Sequence, residues 1–261
     1  MLVGGCSDHP VAAPAPTSPP ARGTSSPSPA PSPSLSTAVP GWEPSPGDRE
    51  PACKLAAVRA IERASAHAGH HVRIIDAQYG GLLADSASVL VVTDVRTDDV
   101  RLTRHGSTWH VDAIHPSQPG PPRAPSASAR RVLTSARIEL PPAARRDLQS
   151  GLIHESVLLA LLSLARDYRI GISVLRSGHP LHVFGTHRLS DHPRGRAFDT
   201  WEINGHPVVD PRTSRSLVTE YMHAAAAAGS YNVGGPYLLG SAPQWFSDAT
   251  HHDHVHAGFL S

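Results

Sequence analysis

The sequence predicts an α+β protein: a small antiparallel sheet flanked by helices, preceded by a smaller α+β domain. Three observations predict this. Apolar residues recur at helical spacing in three stretches, short β-branched runs lie between them, and two Pro- and Ser-rich segments divide the chain.

Residues 1–50 are dominated by Pro, Ala, Ser, Thr and Gly, as in the Pro-Ser-Pro-Ala-Pro-Ser-Pro-Ser run from Pro27. Such a stretch has too little apolar surface to offset its ordering entropy, which predicts a disordered tether. Residues 51–115 open with Leu55, Val58, Ile61 and Ala64 at helical spacing. Strand-like runs follow at 72–77, 89–95 and 100–103, and His105-Gly106-Ser107 turns the last into 109–111. This part reads as a small accessory domain with no constellation that carries chemistry. Residues 116–139, Pro- and Ser-rich over 116–128, predict a linker.

Residues 140–261 read as the larger domain. Val157, Leu158, Leu161, Leu162, Ala165 and Tyr168 form one apolar helical stripe, and 170–175 alternates as a half-buried strand. Pro193 and Gly195 mark a turn, after which Ala197, Asp199, Trp201 and Ile203 alternate with Phe198, Thr200 and Glu202. Another helix starts at Ser214, a suitable N-cap, and stops at Gly229.

Composition narrows the function. Lys+Arg 23 against Asp+Glu 22 leaves a net charge of +1, so no general field draws the protein to nucleic acid. Lys54 is the only lysine. No segment approaches the roughly 20 apolar residues of a spanning helix. The two cysteines, Cys6 and Cys53, are too few for a zinc finger or a disulfide scaffold. Leu2-Val3-Gly4-Gly5-Cys6 resembles the lipobox of bacterial lipoproteins. That resemblance implies lipidation at Cys6, an extracytoplasmic place in the cell envelope, and membrane contact through the anchor alone.

The chemistry lies in the last third, where many of the eighteen histidines fall beside turn residues and carboxylates. His192 and Asp199 are seven apart and would face opposite sides of one strand, but the turn at 193–195 lets both point at one place. Downstream, a strand over 252–256 would put His252, His254 and His256 on one face and Asp253 with Val255 on the other. His252, roughly 7 Å along the strand from His254, falls outside a shared metal site. Two histidines and one carboxylate are a common Zn2+ set, and three protein ligands leave a fourth position for water, as hydrolytic sites require. A structural site would close that position, usually with cysteine.

The pattern Ser190-x-His192-x-x-Gly195-x-Ala197-x-Asp199, followed by His254-x-His256, resembles the D-alanyl-D-alanine metallopeptidase family. The wider group includes lysostaphin-type and murein endopeptidases and the hedgehog domain. The resemblance covers 140–261. It implies His192, Asp199 and His256 as zinc ligands, peptidoglycan peptide as substrate, and peptide-bond hydrolysis as the activity. His254 would be a base or transition-state stabiliser. Asp253, three before the last ligand, is where relatives of this type place an acidic catalytic residue, but strand parity turns it from His256 and favours His254. The run 174–179 resembles the family's strand ending in an arginine and serine cluster. Arg176 would there bind the substrate carboxylate or the oxyanion, with Ser177 and Ser190 touching substrate. Two rival functions are a binding module with a non-catalytic zinc site, as the hedgehog resemblance allows, and a zinc amidase on another fold.

Overall fold

The computed structural model describes residues 41–261, and Gly41–Ser261 form one compact unit. Cys6 and the tether up to residue 40 lie outside the described residues. The fold is α+β, with two sheets and two apolar clusters.

The first layer begins ahead of its expected start. Residues 41–50, expected in the tether, are held in place: Trp42 packs on the first apolar cluster and Asp48 pairs with Lys54. Helix α1 (Pro51–His67) starts with proline in its first turn, where the missing N–H costs nothing. Its buried face is Cys53, Lys54, Ala57, Val58, Ala60 and Ile61, rotated from the predicted stripe, so that Ala64 is exposed. It covers an antiparallel meander of β1 (Ile74–Leu82), β2 (Ser86–Thr93), β3 (Thr97–His105) and β4 (Thr108–Pro116), in the order β1-β2-β3-β4. β1 runs past its predicted end through Gly80 and Gly81. The Phe184 ring sits where a Cβ on Gly81 would be, so the glycine permits a close approach that a β-former would block.

The expected linker is structured. Helix α2 (Ala127–Thr134) is capped by Ser126, whose hydroxyl accepts from the Ala129 N–H, and it buries Ala129 and Val132 in the second cluster. Short β5 (Ile138–Glu139), α3 (Pro142–Ser150) and α4 (Glu155–Leu164) follow. Then come β6 (Ile170–Val174), β7 (Ala197–Ile203), β8 (His206–Pro207) and α5 (Arg215–Ala227), with β9 (Asn232–Gly234), β10 (Trp245–Phe246) and β11 (Val255–Gly258). The second sheet has the order β10-β9-β11-β7-β6-β5, with β8 paired to β7. Its middle is antiparallel as predicted, but both outer pairs, β10–β9 and β5–β6, are parallel. Helix α4 lies against this sheet through Val157, Leu158 and Leu161. No helix among the described residues is long and apolar enough to cross a membrane.

Candidate metal centre

Two central strands and the loop between β6 and β7 bring three ligand-type side chains together. Asp199 and His256 stand directly opposite each other in the antiparallel β7–β11 pair, which places their Cβ atoms roughly 5 Å apart on one face. His192 arrives from the loop. Gly195, at φ +71°, closes a turn in which its N–H donates to the His192 carbonyl at 2.8 Å and the Arg196 N–H donates to Asp191 at 2.9 Å. The turn anticipated at 193–195 thus folds His192 back onto the start of β7.

A Cβ on Gly195 would lie 1.9 Å from the Leu152 carbonyl oxygen, in a backbone conformation that L side chains avoid. Gly195→Ala is expected to lose roughly 2–5 kcal/mol from the combined strain and overpacking. Urea unfolding would show this as a lower midpoint with unchanged slope, and a wild-type midpoint would refute it.

Asp199 Oδ1 lies 3.1 Å from His192 Nε2 and 2.9 Å from His256 Nδ1, and the two nitrogens are 3.2 Å apart. His192 Nδ1 donates to the Leu175 carbonyl at 2.8 Å, so the neutral ring carries its lone pair on Nε2, aimed at the carboxylate. Electron-rich atoms facing one another at this range repel unless a proton or a metal ion shares the space between them. All three residues are buried.

Charge states match ligation. Burial alone would raise the Asp199 pKa, but His192 and His254 outweigh it and hold the carboxyl well below its usual range. Burial pushes His256 down to about 4, against the pull of Asp199. At neutral pH the pair is therefore carboxylate and neutral imidazole, the forms that bind metals.

Among the described residues two His/Asp groups could hold a metal ion: His179 with His192 and Asp199, and Asp48 with His252 and Asp253. In the first, the rings of His179 and His192 stack nearly parallel, 17° apart with centroids at 4.1 Å. Imidazole lone pairs lie in the ring plane, so two stacked rings cannot aim at one ion. His192 and His256 cross at 60° and can, which favours His256 as the third ligand. In the second group the Lys54 ammonium already bonds Asp48 and Asp253 and supplies the cation.

His254 lies beside the three. Its Nδ1 donates to Asp253 Oδ1 at 2.6 Å, and its Nε2 is 3.7 Å from Asp199 Oδ2. Burial opposes charge on this ring, but Asp199 and then Asp253 outweigh it and raise its pKa. Asp253 is turned from the ligands as expected, though by a different cause: β11 begins only at Val255, and Asp253 sits in the bend before it. Its other oxygen accepts from the Tyr79 N–H at 3.0 Å and from Lys54 at 2.8 Å. Asp253 is therefore fully occupied in orienting His254.

Because 250–252 form a 3-10 turn rather than strand, His252 points away, its Nε2 accepting from the Arg49 N–H at 3.1 Å. His251 turns in instead. Sequence parity missed it, although Asp248, whose carboxylate bonds the His251 ring and the amides of Thr250 and His251, is a turn signal that precedes it. The His251 ring lies 5.1 Å from that of His254 and 5.6 Å from that of His256.

These groups open into a cleft of about 630 Å³, walled by Tyr79 and Leu83 of the first layer and by Phe184 and Phe246 of the second. Of the aromatic pair 245–246, Phe246 thus faces the cleft and Trp245 packs on the core. Ser190 lines the cleft and accepts from the His192 N–H at 3.3 Å. Arg176 and Ser177 do not. They line an adjoining pocket of about 340 Å³ that shares His179 with the cleft, and their amides are held by Asp147 at 3.0 and 2.8 Å. Comparison of the chain with protein-family models, curated proteins and solved structures finds no match.

Proposed function

We propose that the protein is a zinc-dependent hydrolase that cleaves peptide bonds in bacterial peptidoglycan, as a D-Ala-type carboxypeptidase or endopeptidase of the cell envelope. The observation that carries this reading is the convergence of His192 Nε2, Asp199 Oδ1 and His256 Nδ1 on one point. Ligands 2.0–2.1 Å from a tetrahedral zinc ion are roughly 3.3 Å from each other, and the separations here are 2.9, 3.1 and 3.2 Å. The donor set suits zinc, and its cleft side faces solvent-accessible space large enough for a peptide.

Zinc, when bound, supplies Lewis acidity that acidifies water and polarises a carbonyl. His254 does the proton work. Asp253 fixes its Nδ1–H, leaving Nε2 at the ligand cluster, and its raised pKa keeps a proton available for the tetrahedral oxygen or the departing amine. Asp253 has no free oxygen for that role. Arg176 lines the adjoining pocket and not the cleft, so its role is to bind a substrate carboxylate there rather than the oxyanion. Ser190 would touch substrate in the cleft and Ser177 in the adjoining pocket. The substrate class is supported by the resemblance of Ser190 through Asp199 and of His254-Val255-His256 to D-alanyl-D-alanine metallopeptidases, and by the lipobox-like start.

Muropeptide analysis of digested peptidoglycan tests this reading. The wild type should release a D-alanine or split a cross-link, whereas a His254→Ala variant keeps its zinc and loses about 10²–10⁴-fold in turnover. Unchanged turnover in His254→Ala would reassign the proton work, and loss of the sugar–peptide bond would mean an amidase.

A further inference from the structure

One buried contact to the metal centre comes from the layer that the sequence marks as accessory. Along β1, Ala77 and Tyr79 face the apolar cluster under α1. Gln78, between them, must face the other way, toward the second sheet. There its Nε2 donates to Asp199 Oδ2 at 2.7 Å, while its Oε1 accepts from the Ser173 hydroxyl. The orientation of the amide is set by chemistry: a carboxylate only accepts, so the NH₂ end must face Asp199, and the hydroxyl then serves the oxygen end. Ser173 belongs to β6 and also reaches the Asp199 carbonyl at 3.3 Å. Gln78, Ser173 and Asp199 are 1, 0 and 1 % exposed, so water cannot substitute for any of these bonds.

The two oxygens of Asp199 are thereby given different work. Oδ1 faces His192 and His256, and Oδ2 is tied back to Gln78. We infer that Gln78 is a positioning residue of the metal centre, holding Asp199 so that one oxygen alone is offered to a zinc ion. The inference rests on the zinc site proposed above and names the device that keeps its carboxylate from chelating through both oxygens. A carboxylate free to rotate takes either mode, and the added oxygen occupies space needed by water and substrate. The first layer is then part of the site rather than an attachment to it, and the buried glutamine is satisfied at both ends of its amide.

Gln78→Met keeps the volume and removes the donor. In the full chain, zinc affinity by chelator competition should fall about 10–100-fold. The visible spectrum of the cobalt-substituted protein should weaken and shift, as it does when coordination number rises, with the melting curve of the metal-free protein still cooperative. Ser173→Ala, which frees the far end of the amide, should move both readouts in the same direction by less, and it decides the matter if Gln78→Met does not fold. Wild-type affinity and an unchanged cobalt spectrum in whichever of these variants folds would overturn the inference. His256→Ala separates the two levels of the proposal. If it binds zinc like the wild type, the metal centre itself is misassigned; if it loses zinc while Gln78→Met and Ser173→Ala do not, only the role of Gln78 falls.

Discussion

His256→Ala protein is expected to leave purification without zinc and to be inactive on peptidoglycan, yet to remain folded. The imidazole contributes one of three converging ligand atoms. If a zinc site is worth on the order of 10 kcal/mol and three ligands share it, the loss is about 3 kcal/mol, or at least a hundredfold in affinity. The strand itself should survive. β11 is held by backbone pairing to β7 and β9 and by Val255, Ala257 and Phe259 in the core, none of which the substitution touches. Linkage supplies the measurement: a ligand that binds only the folded state at a hundred times its dissociation constant stabilises by about 2.7 kcal/mol. Added zinc should therefore raise the melting temperature of the wild type and leave that of His256→Ala unmoved. Equal responses would remove His256 from the centre.

The parts of this site that were legible in the sequence are those governed by local rules. A glycine two after a proline marks the turn that joins His192 to Asp199, and the alternating run that starts at Val255 marks the strand that carries His256. The α+β class followed from hydrophobic period in the same way. What escaped depends on packing between distant segments. Helix α2 hides in a Pro- and Ser-rich stretch because its amphipathic turns are short and its cap, Ser126, looks like linker composition. His251 was passed over because strand parity was extended three residues too far, into the 3-10 turn that Asp248 nucleates. Gln78, the Tyr79 amide and Lys54 carry no motif at all. Their partners are 121, 174 and 199 residues away in the chain, and only the docking of one layer on the other gives them a role. Packing also decides where Arg176 stands: it lines the neighbouring pocket rather than the cleft.

The largest stability effect is expected at Lys54, the one lysine in the chain. Its ammonium is 2 % exposed and bonded to Asp48 and Asp253, with Asp76 close enough to feel its charge. A compact ammonium with three donors fits between two carboxylates where a planar guanidinium would demand a fork geometry. Burial opposes its charge, but Asp253 and Asp48 outweigh burial and raise its pKa, so its contribution is fully present below the ordinary lysine value and is lost only as pH rises through the higher folded one. Lys54→Met would leave these carboxylates buried against one another, which costs about 3–5 kcal/mol and should lower the melting temperature by on the order of 10 °C.

The pH dependence of that loss has a definite sign. Burial pushes Asp76 up to about 7, and Lys54 is the main influence holding it down. A folded pKa above the unfolded one means that stability falls as pH rises from about 4 through 7, because the fold must give up a proton it prefers to keep. Without Lys54 the Asp76 pKa climbs further, so the deficit of Lys54→Met relative to wild type should be larger at about pH 8 than at about pH 5. A pH-independent deficit would show that lost packing, and not uncompensated charge, is the cause. Activity should fall as well, since Asp253 loses the cation that fixes the carboxylate under His254. Zinc affinity should fall far less, because neither Lys54 nor Asp253 touches the three converging ligand atoms.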